Sequence, residues 1–181
     1  MKKLRILLIF IVFFTGASHA SKFLIEIKGS YFSPTEKAFQ DIYGGGMTFG
    51  GEVSIGIWKK LQFWLGGNYY SGAGELTYTG EKTSLQIIPI GGGLKYEFST
   101  GTLRFYGGIG VNLYNYRETN ILGEAKESSL GYIGKIGVYI QLTKGLLIDI
   151  YSEYTYCKMT PADFTINIGG ITAGLGLGYK F

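Results

Sequence analysis

From residue 22 onward the chain alternates. Apolar and polar side chains change places at every residue over segments of about ten, and polar or Gly-rich breaks separate the segments. A period of two belongs to strands, since a helical face repeats every 3.6 residues. Eight segments follow this pattern, at 22–32, 46–58, 61–71, 84–98, 102–116, 129–142, 146–157 and 168–181. The connections alternate too. Lys59-Lys60, Ser99 to Gly101 and Thr143 to Gly145 are tight, whereas 33–45, 72–83, 117–128 and 158–167 are long. An even number of strands places both termini at the end with the short turns.

One long connection carries a helix signal. Ser33-Pro34-Thr35-Glu36 offers an N-cap Ser, a Pro at the first helical position and a Glu two residues on, and Phe39, Ile42 and Tyr43 follow at helical spacing. A loop folded over the rim accounts for this, and so does a lid over a ligand.

Splitting each strand into two faces sorts the charges. In the last strand Gly169, Ile171, Ala173, Leu175, Leu177, Tyr179 and Phe181 oppose Gly170, Thr172, Gly174, Gly176, Gly178 and Lys180. Ten charges fall within strands on the less apolar face: Glu26, Lys28, Glu52, Lys95, Glu97, Arg104, Lys135, Asp149, Glu153 and Lys180. Every other charge beyond the first twenty residues is expected in loops, turns or at Lys22. A soluble barrel or sandwich puts its apolar face inside and its charges outside. Here the charged face is otherwise Gly, Thr, Tyr and Gln, which makes a poor solvated surface. The opposite face is apolar throughout. The pattern predicts an all-β, eight-stranded, antiparallel up-and-down transmembrane barrel, polar inside and apolar outside.

The inward charges are five bases and five acids, and Tyr70, Tyr106, Tyr114, Tyr139 and Tyr151 share their face. Eight strands enclose a lumen just wide enough for side chains to fill. A plugged, charge-balanced interior is therefore expected rather than a pore. Asp149 and Glu153 share a face and could suggest acid–base work, but interior bases are available to pair with both.

Composition adds the address. Lys2, Lys3 and Arg5, then Ile6 to Phe14, then Ser18-His19-Ala20 have the form of a secretory leader over residues 1–20. The apolar run is too short to span a bilayer as a helix. Removing the leader takes three of the 17 Lys and Arg and none of the 13 Asp and Glu, leaving a net charge of +1. No basic surface remains to argue for nucleic acid. The only His is His19, inside the leader, and the only Cys is Cys157. The remaining chain lacks the usual general base and the commonest metal ligand, and it cannot form an internal disulfide. No catalytic set, cofactor or metal site is expected. Gly44-Gly45-Gly46 and Gly91-Gly92-Gly93 lack the Lys-Ser/Thr of a phosphate loop.

The closing segment, Ala173-Gly174-Leu175-Gly176-Leu177-Gly178-Tyr179-Lys180-Phe181, resembles the terminal strand of outer-membrane barrels, which ends in Phe with an aromatic two residues earlier. In length and strand pattern the chain is similar to the OmpA-like and OmpX-like eight-stranded superfamily. The resemblance implies a monomeric protein of the cell outer membrane, surrounded by lipid and lipopolysaccharide. It also implies that Leu175, Leu177, Tyr179 and Phe181 are read by the barrel-assembly machinery during insertion. Lipid A deacylases, palmitoyl transferases and omptin-like proteases depend on His, and this chain departs from them there. Two roles remain open: a structural or loop-presenting protein, and an OmpW-type barrel that passes or binds a small apolar solute. For the second, Tyr31, Phe49, Tyr69, Tyr116, Tyr132 and Tyr154 are expected near the outer rim, where an interfacial aromatic girdle is also expected.

Overall fold

The computed structural model describes residues 23–75, 82–100, 103–121, 123–160 and 165–181. The leader expected over 1–20, together with Lys22, lies outside these residues. The elements are β1 (Phe23–Pro34), α1 (Lys37–Tyr43), β2 (Gly46–Trp58), β3 (Leu61–Glu75), β4 (Lys82–Thr100), β5 (Leu103–Asn120), β6 (Gly123–Gln141), β7 (Leu146–Tyr156), β8 (Lys158–Met159), β9 (Ile166–Asn167) and β10 (Gly170–Lys180). Eight strands close a barrel in the order β1-β10-β7-β6-β5-β4-β3-β2, and β8 pairs with β9 in a small separate hairpin. Every pairing is antiparallel.

Closure leaves the barrel with no free strand edge. The chain end seals the β1–β10 seam, where the Phe181 N–H donates to the Phe23 carbonyl at 2.8 Å and the two rings lie 5.9 Å apart. One stretch is unpaired: β3 and β4 are in register at Gly67↔Ile90 and again at Tyr70↔Ile87, with Pro89 between, which has no N–H to give.

The outward face is a continuous apolar belt. Ile27, Leu65, Ile109, Val111, Leu130, Ile136 and Leu175 are all more than half exposed. So extensive an apolar surface suits lipid rather than water. Tyr31, Phe49, Tyr69, Tyr132 and Tyr154 face outward toward the loop end of the wall, and Trp58, Tyr96, Tyr179 and Phe181 toward the turn end. Tyr116 is a correction. It lies on the same face as Tyr106 and Tyr114 and is buried inside.

Three more expectations need revision. The Ser33 capping box does not form, because β1 runs on through Pro34 and Ser33 pairs with Ile171 of β10. The helix instead starts after Glu36, with no side-chain cap, and stops at Gly44, whose φ is +62°. Barrel pairing outcompetes the local cap. Second, 72–75, 82–83 and most of 117–128 are strand. β4 and β6 are 19 residues long and β5 is 18. Crossing the membrane takes about 9–11 residues, so these three strands rise beyond it. Third, Glu75, Lys82, Arg117, Glu118, Glu124, Lys126, Glu127 and Lys158 sit in strands, not loops.

Inward glycines make room for large neighbours. A Cβ at Gly137 would lie 2.5 Å from the Tyr106 ring, and one at Gly110 would lie 2.6 Å from Trp64. Overpacking of this kind costs about 1–3 kcal/mol. G137V is accordingly expected to destabilise the barrel by that amount in urea unfolding of the refolded protein. Its heat-modifiable gel mobility should persist; a variant as stable as the parent would contradict the packing described.

Candidate functional site

All ten charged residues singled out in the sequence point into the barrel, in two groups. The central group is fully enclosed. Glu52 on β2 is its hub: Oε1 accepts from Lys95 at 2.8 Å, and Oε2 accepts from Lys135 at 2.6 Å and from Lys28 at 3.1 Å. Lys28 also approaches Asp149 at 3.3 Å, Lys95 approaches Glu26 at 3.7 Å and Lys135 approaches Glu153 at 3.1 Å. Four carboxylates and three ammonium groups thus share one buried region, each side chain no more than 5% exposed. Glu26 and Glu52 are direct cross-strand partners, an arrangement of like charges that is unfavourable unless cations stand between them. Lys95 does so.

The second group lies toward the turn end. Glu97 accepts from Arg104 at 3.2 Å and from Gln62 at 2.7 Å, and Lys180 of the last strand lies 3.6 Å away. The sequence placed these ten residues on one face. It could not place Glu52 at the centre, because that depends on which strands meet across the lumen.

Neutral side chains complete the network. Tyr139 accepts from Lys95 at 2.6 Å and donates to Glu26 at 3.2 Å, while Tyr106 donates to Asp149 at 2.9 Å. The two Tyr rings stack at 4.6 Å. Besides Gln62, two members of the central group were not singled out in the sequence. Ser54 accepts from Lys95 at 2.9 Å and donates to Glu52. Trp64 lies beneath Lys135, whose Nζ is 3.6 Å from the ring centroid. A signal existed for both, since Ser54 is two residues from Glu52 and Trp64 shares the parity of Tyr70.

Above the charges the lumen turns apolar. Phe32, Phe39, Tyr70, Leu85, Ile87, Tyr114, Tyr116, Cys157, Met159 and Ile168 form one buried cluster. α1 inserts Phe39 into it. Phe39 and Tyr43, one turn apart, meet at 5.2 Å, and Tyr43 reaches Thr83 at 3.2 Å. Below the helix is a cavity of about 40 Å³ between Phe32, Tyr70, Pro89 and Tyr114, and a second of about 20 Å³ lies beside Lys135 and Trp64. Among the described residues no group of three or more His, Cys, Asp and Glu is placed to hold a metal ion.

No protein-family model matches the chain, and no curated protein matches it. Solved structures do. The neisserial surface protein A is 17% identical with a TM-score of 0.65, over 88% of this chain and 97% of its own. The outer membrane protein OprG from Pseudomonas aeruginosa is 17% identical with a TM-score of 0.67, over 90% and 96%. Ail, the attachment invasion locus protein of Yersinia pestis, solved with the heparin analogue sucrose octasulfate, is 15% identical with a TM-score of 0.60, over 90% and 100%. The chain has the fold of the eight-stranded outer-membrane barrels. At these identities the likeness carries the fold alone. In that fold Leu175, Leu177, Tyr179 and Phe181 occupy the outward face of the closing strand, and Lys180 turns inward between the last two.

Removing one partner of a buried ion pair costs about 3–5 kcal/mol, because the other charge is left uncompensated. E52A takes the shared acceptor from three lysines at once, though each keeps one other carboxylate, and is expected to cost about that much. R104A, whose side chain meets one carboxylate and is 13% exposed against 3% for Glu52, should cost clearly less. Urea midpoints of the two variants in the same lipid vesicles decide; equal losses would remove Glu52 from its central place.

Proposed function

We propose that the protein is a non-enzymatic, monomeric outer-membrane barrel whose lumen is closed by its own side chains and whose loop end is presented to the exterior. On this reading residues 1–20 direct export, and the last strand is recognised by the barrel-assembly machinery. The turn end then faces the periplasm, and lipid and lipopolysaccharide surround the wall.

The observation that carries the reading is the use of the interior charges on one another. Glu52 engages three lysines, and Asp149 and Glu153 each lie beside one of them. Such carboxylates are poorly disposed to bind a substrate or relay protons. The two cavities are small, and the aromatic cluster with α1 stands over them.

One observation favours a second reading, OmpW-type binding or passage of a small apolar solute. The unpaired stretch at Pro89 borders both cavities, so the wall is weakest where the interior is least filled.

Planar-bilayer recording separates the two interior descriptions. The refolded full chain is expected to give no resolved single-channel steps in concentrated salt. Reproducible conductance would overturn the closed lumen.

A further inference from the structure

The extensions of β4, β5 and β6 change character on their outward face within a few residues. β5 passes from Leu113 to Asn115 to Arg117, β6 from Leu130 to Ser128 to Lys126, and β4 from Ile88 to Gln86. Gln86, Ile88, Asn115, Arg117, Lys126 and Ser128 line one groove of about 380 Å³, open to the side of the barrel, with Tyr116 and Glu127 completing its wall. Below it the wall is the lipid-facing belt.

The charge arrangement in this groove is unusual. Arg117 and Lys126 are direct cross-strand partners, and like charges so placed repel. One carboxylate is shared between them: Glu124 accepts from Arg117 Nε, and from Lys126 at 2.7 Å. Both cations nevertheless remain more than half exposed, at 53% and 61% of the side chain. A third cation, Lys158 on β8, extends over the outward ring of Tyr156, and the Ser129 hydroxyl holds the Lys158 carbonyl beside β6 at 2.8 Å. The other acids here are engaged elsewhere. Glu118 accepts from Thr83 and Tyr116 on the inner face, and Glu127 accepts the Thr160 N–H at 3.2 Å. Among the described residues lining the groove, Arg117 and Lys126 thus share the one carboxylate of Glu124, and Lys158 adds a positive charge beside it.

We propose that this groove binds a phosphate group of lipopolysaccharide. The position of the groove selects the occupant. It faces sideways, directly above Ile88, Leu113 and Leu130, so in a barrel seated in the outer membrane the layer against it is the lipid headgroup. An acyl chain can run down those aliphatic side chains while the phosphate lies between Arg117 and Lys126. Arg binds phosphate through its planar fork and Lys as a point charge. Gln86, Asn115 and Ser128 add neutral hydrogen-bonding groups. The inference rests on the outer-membrane placement proposed above but not on the closed lumen, so a conducting barrel would leave it standing.

Native mass spectrometry of the full chain in detergent tests it, with diphosphorylated lipid A, dephosphorylated lipid A and phosphatidylglycerol as probes. One diphosphorylated lipid A is expected to bind, with affinity falling about tenfold or more in R117Q/K126Q. Dephosphorylated lipid A should bind weakly and equally to parent and variant. Undiminished binding by the double variant would overturn the site, and so would equal binding of phosphatidylglycerol and diphosphorylated lipid A by the parent. Heat-modifiable mobility reports whether the double variant folds; if it does not, R117Q and K126Q separately must each show a partial loss.

Discussion

Lipid offers no hydrogen bond, and most of this architecture answers that constraint. A backbone crossing lipid must pair every N–H and C=O within the protein, which for strands means a closed ring. Closure fixes a wall one residue thick, with alternate side chains facing lipid and lumen. The period of two then becomes strict, because slipping a strand by one residue would put Lys135 or Arg104 into the apolar belt. Placing a basic residue there costs about 2–4 kcal/mol at mid-bilayer. The same requirement explains the seam, where the last backbone N–H of the chain is spent on the first described carbonyl.

The lumen inherits a second constraint from the strand number. Eight strands leave room for side chains only if large and small residues alternate across the interior. Tyr106 lies opposite Gly137 and Trp64 over Gly110, so the glycines set where the large rings go. Those rings lower the dielectric around the charges, and that raises both the attraction between partners and the penalty for an unpaired one. Glu52 is tolerable at the centre because three lysines and a serine converge on it.

What the sequence revealed followed the lipid constraint. The eight strands and the inward face of all ten charges were legible because alternation is strict inside the membrane. Legibility failed where the constraint lapses. Beyond the membrane β5 and β6 remain paired through Asn120 and Gly123, yet water bathes both sides and polar residues suit either face. Their extensions, with Arg117 and Lys126, therefore resembled a loop. Ser33 read as a helix cap because local sequence cannot register that β10 arrives to pair with it. Tyr116 was misplaced in the rim although its parity with Tyr114 already turned it inward.

Charge balance also has a spatial side that a count conceals. The ten inward charges sum to zero, but the central group holds four carboxylates and three lysines, while the turn-end group holds Arg104, Lys180 and one carboxylate, Glu97. These ten thus balance only when both groups are counted together. The central excess of acid coincides with the two carboxylate oxygens there that lack a hydrogen-bond partner, Glu26 Oε1 and Asp149 Oδ1. Glu52, not either of these, collects the lysines because it has one on each side and one above Trp64. Interior charges so committed to one another, inside a wall committed to lipid, leave the loop end as the part of this molecule whose side chains are at liberty to meet something else.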